Sequence, residues 1–327
     1  MGKRMDEQIV VITGGNGFVG RHLVAELRRA QPAARLVVWD RQLDGLPEGA
    51  VGEVVDITRP DSYRERLSEL KPAWIVHLAA VPSAEQARLD EMRARHVNVE
   101  GTRQLLEAAE ELSPATKVLA VSTADIYGQG SSTPLPELSL KEARPRNPYA
   151  QSKWEMERLI EETYNDRVVR VRPFPHLGPG QALGYVTADF AAQIAAIEGG
   201  QQSGVLRVGN LEAIRDFTDV RDVVRAYRLL LSCGVPGEVY HVASGRVVRI
   251  QQVLDGLRAL SPAKIAVEQD PTKLRPADTP VLIGSAEKLR AATAGRQDGH
   301  GWEATIALEQ SWRDILAWWR ERVAVVV

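Results

Sequence analysis

Residues 8–20 read QIVVITGGNGFVG, and this stretch decides the fold of the chain. The β-branched run 9–12 is typical of a strand buried on both faces. Glycines at 14, 17 and 20 follow it and open a segment whose apolar residues have helical spacing. A strand, a tight glycine turn and a helix bring bare backbone and a helix N-terminus up to a pyrophosphate. We therefore predict a dinucleotide-binding turn whose contacts are Gly14, Asn16, Gly17, Phe18, Val19 and Gly20.

A carboxylate follows at the position that a dinucleotide site requires. The apolar run 36–39 ends at Asp40, twenty residues beyond Gly20. There it can accept hydrogen bonds from the adenosine ribose and repel the 2′-phosphate of NADP. Arg41 follows directly, and its guanidinium can offset that repulsion. We predict that the protein prefers NADH and uses NADPH measurably.

The first half of the sequence alternates strands and helices, which predicts a doubly wound parallel sheet. A third strand over residues 51–55 precedes Asp56 and Ile57, and Asp56 either meets the adenine amino group or caps the next helix. A fourth strand, 74–78, runs into Leu78, Ala79 and Ala80, whose small side chains suit either a close cofactor or close helix packing. Residues 97–112 have the period of a helix.

Bulk composition bounds the class of protein. The 327 residues are 44% hydrophobic and 26% charged, with a formal net charge of −2, so no basic field indicates nucleic acid or an anionic membrane as a partner. The single cysteine, Cys233, fits a reducing compartment and excludes a cysteine metal cluster. No apolar run is long enough to span a membrane. We predict a cytoplasmic protein without a metal site.

Polar residues gather where the fifth strand ends. The strand 118–121 runs into residues 122–128, which read STADIYG, and the carboxyl ends of parallel strands face the ligand crevice. A loop over residues 129–146 follows, and Pro148 then begins a helix. Tyr149 and Lys153 stand four residues apart, so they project from one face of that helix.

The chain changes character at residues 172–180, RPFPHLGPG, which contain three prolines and two glycines. Such a segment cannot be regular structure and indicates a domain crossing. We predict a dinucleotide-binding domain over residues 1–173, to which 214–243 return. A smaller C-terminal substrate domain takes 174–213 and 244–327, with a loop over 274–283 and a last helix over about 303–322.

Several segments in this order resemble an extended short-chain dehydrogenase/reductase of the nucleotide-sugar-modifying kind. They are TGGNGFVG (13–20), HLAA (77–80), STADIYG (122–128), YAQSK (149–153), RPFPHLGPG (172–180) and RDFTDVRD (215–222). The resemblance covers nearly the whole chain. It implies a Rossmann-like fold, NAD or NADP as cofactor, Asn98 as a further cofactor-site residue, and a homodimer formed by the helices over 97–112 and 148–164.

The resemblance also implies roles in hydride transfer to a ketone. Thr123 would hydrogen-bond the substrate oxygen, and Tyr149 would donate a proton to the alkoxide. Because a phenol has a reference pKa of about 10, a nearby cation helps by favouring the phenolate. Lys153 would supply that cation and also bond the nicotinamide ribose.

Within the family, the second half resembles reductases of GDP-4-keto-6-deoxy-D-mannose, which form GDP-D-rhamnose. Related dehydratases need an acid or base beside the threonine, where this chain has Ala124 and Asp125. Pro175 stands where such reductases usually carry asparagine. The implied substrate contacts, with a GDP-linked sugar favoured, are Thr123, Asp125, Pro175, His176, Arg215 and Arg275.

Two other functions compete with the reductase. A nucleotide-sugar 4-epimerase would hold NAD tightly and oxidise and reduce the same carbon. A cofactor-sensing protein would keep the fold without catalysis, but such sensors often lack the tyrosine or the lysine, and Tyr149 and Lys153 are both present.

Overall fold

The computed structural model describes residues 8–128, 130–274, 281–295 and 301–324. Strands and helices alternate through the first half, as the sequence predicts. In chain order these elements are β1 (Ile9–Thr13), α1 (Phe18–Ala30), β2 (Arg35–Asp40), β3 (Val51–Val54), α2 (Arg64–Leu70), β4 (Trp74–His77), α3 (Ala84–Leu89), α4 (Glu91–Arg95), α5 (Thr102–Leu112), β5 (Lys117–Val121), α6 (Pro148–Thr163) and β6 (Val168–Pro173).

The second half contains shorter strands between its helices. They are β7 (His176–Leu177), α7 (Val186–Glu198), β8 (Val205–Val208), β9 (Ile214–Asp216), β10 (Thr218–Asp219), α8 (Val220–Cys233), β11 (Val239–Val242), β12 (Val247–Arg249), α9 (Ile250–Ala259), β13 (Ala266–Gln269), β14 (Val281–Leu282), α10 (Glu287–Thr293) and α11 (Leu308–Ala324).

Seven strands form one parallel sheet in the order β11-β6-β5-β4-β1-β2-β3. Helices α1 and α8 pack on one face, and α2, α5 and α6 pack on the other. The central strands are buried on both faces, which explains their unbroken β-branched runs. The predicted α/β, Rossmann-like class is therefore confirmed, and β11 joins this sheet beside β6.

The smaller lobe has its own core between α7, α9 and α11. Three aspartates of the segment 215–222 hold its chain in place. Asp216 accepts hydrogen bonds from Ser244 and Gly245, and Asp219 caps α8 and accepts one from Ser311 at 2.6 Å. Asp222 accepts the backbone N–H groups of Thr305 and Ile306.

Two helix predictions differ from the structure. Residues 97–112 are not one α-helix, because His96–Gly101 is wound as a π-helix and α5 begins at Thr102. The last helix begins at Leu308 rather than near Glu303, because the backbone N–H groups of Thr305 and Ile306 bond the Asp222 carboxylate instead of a helical carbonyl. Among the described residues, no helix is long and apolar enough to cross a membrane.

Candidate active site

The predicted site residues lie around the carboxyl edge of the parallel sheet. The glycine turn follows β1, Asp40 ends β2, Asp56 lies beyond β3, Leu78 follows β4, and Thr123 follows β5. Because these strands are parallel neighbours, their carboxyl ends meet along one crevice. This edge is where an open α/β sheet binds its ligand.

The glycine turn packs closely on the chain after β4 and leads into the N-terminus of α1. Gly14 has a φ of +67°, and a Cβ there would lie 2.7 Å from the backbone nitrogen of Ala79. Helix α1 begins after Gly17 with no side-chain cap and no acidic residue in its first turn. A helix N-terminus without such a cap presents unpaired N–H groups to an anion. The turn therefore fits the diphosphate of NAD or NADP.

Asp40 lies directly against this turn. Its Oδ2 accepts the backbone N–H of Asn16 at 3.0 Å, and its Oδ1 accepts that of Arg41 at 2.8 Å. A carboxylate has about four acceptor positions, so two remain for ribose hydroxyls. The Asn16 side chain donates to the carbonyls of Gln42 and Asp44, which ties the turn to the loop after β2.

Asp56 has a local partner in the structure. Its Oδ1 accepts hydrogen bonds from the backbone N–H of Thr58 at 2.9 Å and from the Thr58 hydroxyl at 2.7 Å. Burial raises the pKa of Asp56, but these bonds and nearby Arg41 outweigh burial and hold the pKa below its ordinary value. Asp56 therefore caps a turn, while Ile57 is buried next to Gly101.

A buried histidine joins the β1 and β4 ends to the π-helical turn. His77 lies between the hydroxyls of Thr13, 2.8 Å from Nδ1, and Thr102, 2.9 Å from Nε2. Thr102 donates its own proton to the carbonyl of Asn98, so the Nε2 of His77 is the donor and its Nδ1 the acceptor. Burial lowers the pKa of His77 to about 3, and nearby Lys153 adds to this.

Asn98 uses its side chain within the protein. Its Oδ1 accepts the backbone N–H of Val81 at 2.7 Å, and its Nδ2 donates to the Ser152 hydroxyl at 2.9 Å. The residue is fully buried. Asn98 therefore fixes the segment after β4 against helix α6, and its part in the cofactor site stays a prediction.

The predicted catalytic residues meet at the end of β5. The Thr123 side chain caps a 3₁₀ turn, Ala124–Tyr127, and lies close enough to the Tyr149 phenol to lower its pKa. Asn147 caps α6 by accepting the N–H of Ala150, with Pro148 in the first helical position. Lys153 lies one turn beyond Tyr149, and its Nζ donates to the carbonyl of Val121 at 2.8 Å.

Burial shifts the proton affinities of both catalytic groups on α6. It raises the pKa of Tyr149 above its ordinary value, nearby Asp125 and Tyr185 add to this, and nearby Thr123 opposes it. Burial also lowers the pKa of Lys153 to about 8, while Glu157 opposes this. At neutral pH, Tyr149 therefore holds its proton and Lys153 is a cation.

The predicted substrate residues are divided between the two lobes. Asp125 lies near enough to Tyr149 to raise the pKa of its phenol. Pro175 and His176 are half-buried at the start of the smaller lobe, and the His176 ring stacks on Phe18 of the glycine turn, with ring centroids 6.1 Å apart. This stacking brings a predicted substrate-binding residue into contact with the predicted cofactor-binding turn.

Two arginines, Arg215 and Arg275, are among the predicted substrate contacts. Arg215 lies on β9, between β12 and β14, and its Nη1 donates to the Ile214 carbonyl. Its neighbour Asp216 anchors β9 to the loops after β11 and β14. Arg275 lies outside the described residues.

Sequence analysis missed several residues around the site. The Arg21 guanidinium donates to the carbonyls of Asn16 and Asp44 and braces the glycine turn. The Tyr185 hydroxyl donates to the Pro82 carbonyl at 3.2 Å, which brings the smaller lobe to the catalytic centre. Arg172 and Glu157 form a buried pair behind Lys153. Of these residues, only Arg172 could have been noticed in the sequence, because an arginine within the apolar strand β6 requires a buried partner.

The sequence and the structure were compared with known proteins. Residues 10–243 match the family model described as NAD dependent epimerase/dehydratase family. The chain is 37% identical over 320 residues to GDP-6-deoxy-D-mannose reductase of Pseudomonas aeruginosa, covering 97% of this chain and 98% of that protein. It is 30% identical over 282 residues to GDP-6-deoxy-D-talose 4-dehydrogenase of Aggregatibacter actinomycetemcomitans, covering 86% and 89%.

A solved structure has the same fold along nearly its whole length. It is RMD from Pseudomonas aeruginosa complexed with NADPH, which superimposes with a TM-score of 0.81 at 34% sequence identity. The match covers 96% of this chain and 99% of that one. The resemblance found in the sequence motifs is therefore confirmed.

Proposed function

We propose a specific reaction for this chain, which belongs to the NAD dependent epimerase/dehydratase family. The chain reduces the 4-keto group of a nucleotide-linked 4-keto-6-deoxyhexose and converts GDP-4-keto-6-deoxy-D-mannose to GDP-D-rhamnose, with NADH or NADPH as the reductant. The 37% identity to GDP-6-deoxy-D-mannose reductase over nearly the full length of both proteins supports this substrate.

The observation that carries the proposal is the meeting of Thr123, at the end of β5, with Tyr149 and with the Lys153 ammonium one helical turn away. Two neighbouring hydroxyls can both donate to one carbonyl oxygen. Ala124 and Asp125 stand where the resemblance places the added acid or base of related dehydratases, and the alanine at the first of these positions favours reduction. The site is therefore equipped for proton donation to a reduced carbonyl.

When bound, the cofactor supplies a hydride to C4 of the sugar. The Thr123 hydroxyl orients the carbonyl oxygen, and Tyr149 gives its proton to that oxygen as negative charge develops there. The Lys153 ammonium lowers the cost of the phenolate that remains. Its hydrogen bond to Val121 fixes the ammonium at the end of β5.

The nucleotide sugar would lie between the two lobes. We assign the sugar end to Asp125, which lies near Tyr149, and to Pro175 and His176 at the start of the smaller lobe. Arg215 and Arg275 are proposed for the diphosphate, because planar guanidinium groups pair well with phosphate oxygens. We also propose that residues 1–173 and 214–243 form the dinucleotide-binding domain, and that the substrate domain begins at residue 174.

The assembly and the compartment are proposed as well. We propose a homodimer in the cytoplasm, formed through the surface of α5 and α6. The exposed apolar residues Leu89 and Met92, which are 74% and 85% exposed, support this interface, because their helices α3 and α4 pack against α6.

The proposal can be tested with purified protein and a panel of nucleotide-linked 4-keto-6-deoxy sugars. Each sugar is incubated with NADH or with NADPH, and cofactor oxidation and product mass are followed. We expect the GDP-linked mannose derivative to give the highest kcat/KM and a product two mass units heavier than the substrate. Equal activity with dTDP-linked and GDP-linked sugars would refute the GDP assignment.

A further inference from the structure

A buried ion pair lies directly behind the catalytic lysine. Glu157 and Arg172 are 0% and 1% exposed, and the guanidinium binds the carboxylate through two nitrogens, at 2.9 and 2.8 Å. Glu157 stands four residues after Lys153 on α6, so the two side chains project from the same face of the helix. The electrostatic effect of Glu157 therefore reaches Lys153 through protein rather than through water.

Arg172 continues this group toward Thr123. Its Nη1 donates to the Tyr127 hydroxyl at 2.7 Å and to the Leu138 carbonyl at 2.6 Å. Tyr127 ends the 3₁₀ turn that Thr123 caps, and its hydroxyl also bonds the ring of His241 on β11. One buried network thus connects the helix of Tyr149 and Lys153 with the turn of Thr123.

Glu157 is the carboxylate that opposes both cations of this network, Lys153 and Arg172. The other titratable groups around them are Tyr149, Tyr127, His77 and His241, with Asp125 near Tyr149 and Glu137 near Tyr127. Burial lowers the pKa of both histidines to about 3, so they are neutral. Without Glu157, Arg172 would lose the carboxylate that it binds, and Lys153 would lose the negative charge that raises its pKa.

We propose that Glu157 is a positioning residue for the reduction: it keeps Lys153 protonated and, through Arg172 and Tyr127, sets helix α6 against the turn that carries Thr123. The catalytic significance of this arrangement rests on the proposed function. The charge state of Lys153 does not, and it can be measured without any substrate.

The sign of the expected effect follows from electrostatics. Glu157→Gln removes a negative charge and leaves Arg172 unpaired, so the local potential becomes more positive. A more positive potential favours loss of a proton from Lys153 and from Tyr149 alike. An opposite charge at short range typically shifts a pKa by about one to three units, so we expect the Lys153 pKa to fall by about one unit or more.

Nuclear magnetic resonance of lysine side chains gives the direct test. The sequence has eight lysines, so protein labelled with ¹³C at the lysine ε position gives few signals, and the one lost in Lys153→Arg identifies Lys153. We expect Lys153 to titrate near pH 8 in the unmodified protein and at lower pH in Glu157→Gln. An unchanged Lys153 titration in folded Glu157→Gln protein would overturn the proposal.

If Glu157→Gln does not fold, a second pair of variants tests whether Glu157 raises the pKa of Lys153. Arg172→Met removes the unpaired cation, and the Lys153 titration is then compared with and without Glu157→Gln in that background. We expect the same downward shift on removing Glu157. Equal titrations in the two proteins would overturn the proposal.

Activity supplies a separate readout. The alkaline limb of kcat against pH should move to lower pH in Glu157→Gln, whichever of Lys153 and Tyr149 governs it. Glu162→Gln is the matched control, because it removes a carboxylate from an exposed ion pair on the same helix. A limb that moves equally in both variants would refute the role of Glu157. Absence of activity on every sugar would instead refute the proposed function.

Discussion

We propose that Tyr149 donates the proton in this site, and three observations bear on its behaviour. Its phenol lies near Thr123, stands one helical turn from Lys153, and has a pKa that burial raises above its ordinary value. A phenol in this state is a proton donor rather than a base at neutral pH. This state suits the reduction of a ketone, in which the oxygen must gain a proton.

Replacing Tyr149 with phenylalanine should remove the donor and keep the ring. A positioned proton donor typically contributes about 10²–10⁴-fold to a rate, so we expect Tyr149→Phe to lower kcat by two or more orders of magnitude. Cofactor affinity, measured by fluorescence titration, should stay close to that of the unmodified protein. Turnover near that of the unmodified protein in a folded variant would contradict the assignment.

We predict that Asp40 and Arg41 together set the choice between NADH and NADPH. The carboxylate is fixed by the backbone N–H groups of Asn16 and Arg41, whereas the Arg41 side chain is exposed. We therefore expect a higher kcat/KM for NADH than for NADPH, and Asp40→Ala should move the preference toward NADPH. Arg41→Ala should move it the other way.

The similar protein RMD from Pseudomonas aeruginosa was solved in complex with NADPH, whereas Asp40 predicts a preference for NADH in this chain. If kcat/KM for NADPH already exceeds that for NADH in the unmodified protein, Arg41 governs the choice and the prediction from Asp40 is wrong.

At the scale of single residues, sequence patterns predicted the groups that lie at strand ends or share a helix face. Thr123 follows β5, and Tyr149 and Lys153 are four residues apart, so local periodicity brought them together. The partner of Arg172 was not predicted, because Glu157 lies on another element and no local pattern pairs the two. Asn98 was predicted in the cofactor site, but only the structure shows what its amide contacts.

Among the elements, the glycine turn depends most strictly on its residue types. Gly14→Ala would force a side chain into a left-handed backbone and against the backbone of Ala79 at 2.7 Å. We expect the free energy of unfolding to fall by about 2 kcal/mol or more without cofactor, as measured by urea denaturation.

Gly17→Ala is the matched control for the turn. Gly17 has an ordinary φ of −75°, and its Cβ would lie 3.2 Å from the Gly14 carbonyl oxygen. We expect Gly17→Ala to lower cofactor affinity while the stability of the cofactor-free protein changes little. Equal losses of stability in the two variants would contradict this account of the turn.

Element prediction succeeded for long periodic segments and failed for short or irregular ones. The strand β1 and the helix α6 were predicted because burial and capping both leave local signals. The π-helical winding of His96–Gly101 adds a residue to one turn, and apolar spacing does not reveal it. Strands of two or three residues, such as β7 and β10, are too short for any period and form only because Thr218 pairs with His176.

The whole molecule has two lobes joined at the site by side chains from both. Phe18 stacks on His176, and Tyr185 reaches Pro82, so the smaller lobe closes one wall of the crevice. The sequence indicated this division through the proline-rich crossing after β6. It could not reveal these contacts, because they join residues more than one hundred positions apart.

We predict that two copies of the chain associate through the α5 and α6 surface. Sedimentation velocity at micromolar concentration should show a dimer, and Met92→Glu should weaken it, because a charge would enter an apolar contact. Val235→Glu is the control, since Val235 is also exposed but follows α8. A monomer in the unmodified protein would rule the dimer out.

The central claim is that an external hydride reaches C4 while Tyr149 protonates its oxygen. The most direct measurement uses cofactor deuterated at the transferred position, with GDP-4-keto-6-deoxy-D-mannose as substrate and product analysis by mass spectrometry and NMR. The account predicts GDP-D-rhamnose with one deuterium at C4 per cofactor oxidised. Turnover of a nucleotide sugar by bound NAD, with no cofactor consumed and no deuterium in the product, would contradict it and indicate an epimerase.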